Sequence, residues 1–122
     1  MRILLVESNS VLAGQFVNTL GKYLVGVEID HARNPMILVD YIRNNSYDLI
    51  LADVDSMVGS KLVMRELNNA ESIVIVWTFA NRTEALRRLV GTKIRVIPKM
   101  VSTEEIEEVA DILRSTVCSA AG

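Results

Sequence analysis

Five short apolar runs divide the chain: Arg2–Val6, Val25–Ile29, Leu49–Ala52, Ile73–Trp77 and Ile94–Ile97. None shows a strict apolar–polar alternation. Strands of that kind have both faces covered, which is the habit of a parallel sheet. The segments between them have helical spacing. In Val11–Leu24 the residues Leu12, Phe16, Leu20 and Leu24 stand four apart, with Asn9 or Ser10 as the expected N-cap. Met36–Arg43 follows Pro35, a residue suited to a first helical turn, with Asn34 or the residues just before it as the cap. A third helix is predicted from about Ser60 to Asn68. A fourth is predicted over Arg82–Val90, where Asn81 and Glu84 have a loose capping-box spacing. The fifth, Thr103–Thr116, opens on a capping box, Ser102 and Glu105, and carries the stripe Ile106, Val109, Ala110 and Leu113.

Strand and helix thus alternate five times. Right-handed crossovers turn that repeat into an open parallel sheet with helices on both faces. The expectation is a flavodoxin-like (βα)5 α/β fold, doubly wound, with five strands in the order 2-1-3-4-5. It is expected as a single domain over residues 1–122, a length that closes one hydrophobic core.

Composition removes several function classes. Half of the residues are hydrophobic and the mean hydropathy is +0.29. Even so, no run approaches the roughly 20 residues a bilayer demands, so no membrane contact is expected. Glu7 interrupts the first apolar run too early for a signal peptide, and a cytoplasmic location is expected. The single cysteine, Cys118, builds neither a disulfide nor a metal cluster. The single histidine, His31, reads as a loop or strand-end residue rather than a ligand. A net charge of −2 and a pI near 5.4 argue against nucleic-acid binding.

In an open α/β sheet, ligands sit outside the carboxyl ends of the strands. Those ends carry Glu7-Ser8 after strand one, Asp53 after strand three, Thr78 after strand four and Lys99 after strand five. Any one of them would be an ordinary terminus meeting water. Four on neighbouring strands make a site, and that explains why a run as apolar as Ile3-Leu4-Leu5-Val6 ends on a carboxylate.

From Met1 to about Ser115 the chain resembles the receiver domains of two-component response regulators. The resemblance rests on "ILLVE", "DLILAD" ending at Asp53, "IVIVWT" ending at Thr78, "VIPK" ending at Lys99, and "STEEI" opening the last helix. It implies that Asp53 occupies the phosphoacceptor position, a carboxylate nucleophile attacking phosphorus. It implies a Mg²⁺ in the acidic pocket formed with Glu7, and Lys99 as the cation that pairs with the phosphoryl group. It also implies a switch in which the Thr78 hydroxyl moves toward the phosphoryl group and an aromatic residue on strand five follows. Without a dication, Lys99 is expected to pair with Asp53 itself.

Five features depart from that pattern. Ser8 stands where a second acid, usually a direct Mg²⁺ ligand, belongs. After Asp53, Met57 replaces a proline, and Gly59 comes six residues on instead of eight, so the loop is about two residues short. Asp55 in that loop reads as a solvated acid, with replacement of the charge lost at Ser8 as the other reading. Phe79 puts a ring where a small residue leaves access. Val96 takes the place of the switch aromatic, and Pro98 precedes Lys99 instead of following it. Together these changes weaken metal binding, access and readout.

The sequence therefore reads as an atypical receiver or pseudo-receiver. It would be a signalling and dimerisation module, not an enzyme, largely independent of aspartyl phosphorylation, with at most weak Mg²⁺ binding. The alternative is a phosphorylatable receiver that takes a phosphoryl group from a histidine kinase at Asp53 with Mg²⁺. A small-molecule enzyme or nucleotide binder fits poorly, because "ESNSVLAG" lacks the glycines of a phosphate loop. The expected partners are a histidine kinase or downstream effector and a second copy of the chain. The copy would dock through the face of helix four, strand five and helix five, where Arg87, Arg88, Lys93 and Arg95 oppose Glu104, Glu107, Glu108 and Asp111.

Overall fold

The computed structural model of the chain describes residues 1–33, 35–53, 61–78 and 94–98, together with positions 84, 87, 88, 104, 107, 108, 110 and 111. The elements run β1 (Arg2–Val6), α1 (Ser10–Tyr23), β2 (Glu28–Ala32), α2 (Pro35–Asn44), β3 (Leu49–Asp53), α3 (Lys61–Asn69), β4 (Ile73–Thr78) and β5 (Arg95–Pro98). The backbone is also helical at Glu84, Arg87 and Arg88, and again at Glu104, Glu107, Glu108, Ala110 and Asp111. All strand pairs are parallel, and the order is β2-β1-β3-β4-β5. This is the expected doubly wound α/β sheet.

Alternate residues of the strands build two cores. Leu4, Val6, Ile50, Ala52, Val74, Val76 and Val96 pack with Leu38 and Val39 of α2 and with Val63 and Leu67 of α3. On the other face Ile3, Leu5, Leu49, Leu51, Ile75 and Trp77 pack with Ala13, Phe16 and Leu20 of α1, and with Ala110. The ring of Phe16 meets Trp77 edge-on, with centroids 5.8 Å apart. Strands buried on both faces need apolar residues at every position, which is why β3 and β4 show no alternation.

One strand was misplaced by the sequence pattern. The run Val25–Ile29 suggested β2, but β2 lies three residues later. The helix α1 continues to Tyr23, and the turn needs Gly26 in the left-handed region at φ +73°. Val25 is fully exposed, at 100%. β2 is an edge strand and is only partly covered, so it accommodates Asp30 and His31 and shows no continuous apolar run. The expectation that every strand is covered on both faces fails there for the same reason.

The far end of this edge is held by a polar cluster. The Arg2 guanidinium donates to Asp30 Oδ2 at 2.9 Å and sits 5.2 Å from the centroid of the Tyr47 ring. The Tyr47 hydroxyl donates to the same oxygen at 2.7 Å. Burial, and then the bond to Asp30 and its charge, push the Tyr47 hydroxyl well above the usual phenol range. Among the described residues, no helix is long and apolar enough to cross a membrane.

Candidate functional site

The carboxyl edge of the sheet is built by register. Val6 is level with Ala52 in the β1–β3 pairing, so Glu7 and Asp53 each stand one residue past that shared rung. Asp53 is level with Trp77, which puts Thr78 one residue further along. Thr78 is in turn level with Pro98, the last residue of β5. Three of the four strand-end residues singled out in the sequence are thereby brought to one edge of adjoining strands. The fourth, Lys99, lies outside the described residues, as do Asp55, Phe79 and Lys93.

All three described residues are sealed from solvent. Glu7 is 0% exposed, Asp53 1% and Thr78 1%. None of them is without a partner. Burying two carboxylates side by side is costly unless hydrogen bonds or cations compensate them. Ser8, by contrast, is exposed and neutral. Val96 is buried on the α2–α3 side of the sheet, where a valine has no room or reason to alternate between inside and outside.

The junction between β1 and α1 fixes Glu7 from several directions. Its N–H donates to the carbonyl of Ala32 at 3.1 Å, extending the ladder to β2 by one bond. Its own carbonyl accepts a bond from His31 Nε2 at 2.8 Å. Its carboxylate Oε2 lies 3.5 Å from the Asn9 N–H. Asn9 is the N-cap of α1, and its Oδ1 accepts from Val11 at 3.0 Å and from Leu12 at 3.2 Å. The first helix therefore starts where it does because Asn9 satisfies two of its orphan donors.

Sequence reasoning gave His31 no part in the site. With β2 shifted by three residues, His31 is level with Leu5 and reaches the carbonyl two residues beyond it. The only available signal was its position near the end of a strand neighbouring β1.

Among the described residues, no group of three His, Cys, Asp or Glu side chains could hold a metal. Glu7 and Asp53 supply two carboxylates from adjacent strands. Mg²⁺ usually takes one or two carboxylates and keeps several waters, so the two carboxylates suffice in number for a loosely held dication once the sealed edge opens to its waters.

On the face expected to form a dimer, Arg88, Arg95, Glu104, Glu107, Glu108 and Asp111 are all exposed. Arg87 pairs with Glu84 one helical turn away and also donates to the Val96 carbonyl at 3.4 Å.

No protein-family model and no curated protein sequence matches the chain. Solved structures do. A two-component transcriptional regulator from Clostridium phytofermentans superposes with a TM-score of 0.79 at 22% identity, over 98% of this chain and 96% of that one. A response regulator from Thermotoga maritima, solved in complex with Mg²⁺-BeF, gives 0.73 at 22% identity, over 92% and 97%. The receiver domain of a sensor histidine kinase from Pseudomonas aeruginosa, with magnesium coordinated in its active-site cleft, gives 0.71 at 22% identity, over 92% and 95%. The fold is that of response-regulator receiver domains.

Proposed function

We propose that the chain is an atypical receiver, a signalling and dimerisation module that works largely without aspartyl phosphorylation and is not an enzyme. The observation that carries this reading is the state of the phosphoacceptor position. Asp53 is 1% exposed beside a fully buried Glu7, while the neighbouring position that would offer a second acid to a metal is an exposed serine. A nucleophile must meet its phosphodonor in line, and a sealed carboxylate does not. Mg²⁺ binding is accordingly weak: Glu7 and Asp53 are the carboxylates that would hold the ion, and the sealed edge must open to admit it with its waters. Bound there, the ion would offset the negative charge of the carboxylates.

The arrangement of Glu7, Asp53 and Thr78 on one edge also favours a second reading, a receiver phosphorylated at Asp53 by a histidine kinase. That reading needs Asp55 or Glu7 to compensate for the charge missing at Ser8, and it needs the site to open.

The dimer is proposed through the face that carries Arg88 and Arg95 on one side and the acidic residues Glu104, Glu107, Glu108 and Asp111 on the other. A two-fold contact would set each basic edge against the partner's acidic stripe. Exposed ion pairs contribute only about 0–1 kcal/mol each, so charge sets the orientation and neighbouring apolar residues supply affinity. Arg87, already paired with Glu84, adds less than its sequence position suggested. Sedimentation at micromolar concentration and low salt tests the proposal. A dimer that forms equally with and without beryllofluoride, and is lost on reversing Glu107 and Glu108 to Lys, is expected. A strict monomer, or a dimer that appears only with beryllofluoride, contradicts it.

A further inference from the structure

We infer that His31, on the edge strand β2, is a positioning residue for the acid pair, acting through the backbone of Glu7. Pairing between β1 and β2 ends at the level of Val6 and Ala32. One more ladder bond follows, from the Glu7 N–H to the Ala32 carbonyl at 3.1 Å. Beyond that rung the His31 side chain supplies the donor for the Glu7 carbonyl, at 2.8 Å. A carbonyl can only accept, so His31 carries its proton on Nε2 in this contact. Both peptide groups that flank the Glu7 Cα are therefore tied to β2, one by backbone and one by imidazole.

The contact matters because Glu7 lies just past the end of β1, where the chain leaves the sheet for α1. A residue in that place can turn its carboxylate toward the loop or hold it level with Asp53. The carboxylate itself receives the Asn9 N–H at Oε2, at 3.5 Å, the upper limit of a hydrogen bond. The bond from His31 to the Glu7 carbonyl is the shorter of these two contacts, at 2.8 Å. Partners hydrogen-bonded to a ligating side chain are worth about 10–100-fold in metal affinity; His31 acts one step further back, on the Glu7 backbone, so the lower end of that range is the expectation. The inference rests on the reading of Glu7 and Asp53 as a loosely dication-holding pair.

Two variants of the full chain test it, His31→Leu, which removes the donor, and His31→Gln, whose amide N–H can replace it. Amide hydrogen exchange is read without metal, and Mg²⁺ alone is then titrated. In His31→Leu the Glu7 amide is expected to exchange about tenfold faster while the amides of Leu4 and Leu5 do not change. Mg²⁺ affinity is expected to fall about tenfold, and His31→Gln to recover most of both losses. An unchanged Glu7 amide, or equal acceleration along all of β1, overturns the inference. If the wild-type chain ignores Mg²⁺ altogether, the metal reading of the acid pair fails, and the exchange result alone decides the role of His31.

Discussion

The outward face of α1 carries two glycines, Gly14 and Gly21, inside a helix of 14 residues. Neither has a positive φ, and a Cβ built at either position meets nothing within 4 Å. The fold gives no local reason for glycine at these sites. Glycine in a helix interior is about 0.8–1 kcal/mol less favourable than alanine, chiefly because the unfolded chain is freer. Gly14 lies in the second turn and should show nearly the full difference. Gly21 lies in the last turn, where fraying reduces it to about 0.5 kcal/mol. The double variant Gly14→Ala, Gly21→Ala should gain about 1.5 kcal/mol, or roughly 5–8 °C in Tm for a chain of this size. Gly26 is the internal control, since it sits at φ +73° with equally open space around it. Gly26→Ala should lose about 1 kcal/mol or more. Urea melts of the wild type, the two single variants, the double variant and Gly26→Ala, with m-values compared, measure both signs. Destabilisation by Gly14→Ala or Gly21→Ala would refute the argument, because it would mean that the outer face of α1 is covered in solution.

Two other outcomes follow from the polar groups. The Tyr47 hydroxyl is held protonated in the folded state well above its ordinary range. Above roughly pH 10 the unfolded chain therefore loses a proton that the folded chain keeps. Stability from this group is complete below that pH and declines as pH rises beyond it. Tyr47→Phe should cost about 1–2 kcal/mol at neutral pH and flatten that alkaline decline, measured by denaturant melts at several pH values. At the site edge, Ser8→Asp places a charge at an exposed position next to Glu7. Mg²⁺ affinity should rise roughly tenfold, about 1.4 kcal/mol, with Trp77 as the single tryptophan reporter; no gain would remove Ser8 from the site.

The central strands were legible because burial on both faces leaves an unmistakable apolar run. Leu49–Asp53 and Ile73–Thr78 are such strands, and their last residues delivered Asp53 and Thr78 directly. The cap of α1 was legible to within one residue, Asn9 or Ser10, because a cap acts within three residues; the structure makes it Asn9. The edge strand was not. β2 carries Glu28, Asp30 and His31, and the apolar residues just before it belong to a turn set by Gly26. Losing three residues of register there also hid His31, whose contact with Glu7 spans 24 residues of sequence. Long-range contacts of that kind depend on strand pairing, which no local pattern encodes. The departures from the receiver pattern at Ser8 and Val96 were visible as residue types. Only the fold shows that Ser8 is exposed while Val96 is packed into the core.

The central claim is that Asp53 is a poor phosphoacceptor, and intact mass after incubation with Mg²⁺ and acetyl phosphate tests it most directly. The sealed carboxylate predicts little or no gain of a phosphoryl group over times that saturate an ordinary receiver. Rapid and near-complete addition of one phosphoryl group, abolished by Asp53→Asn, would contradict the account.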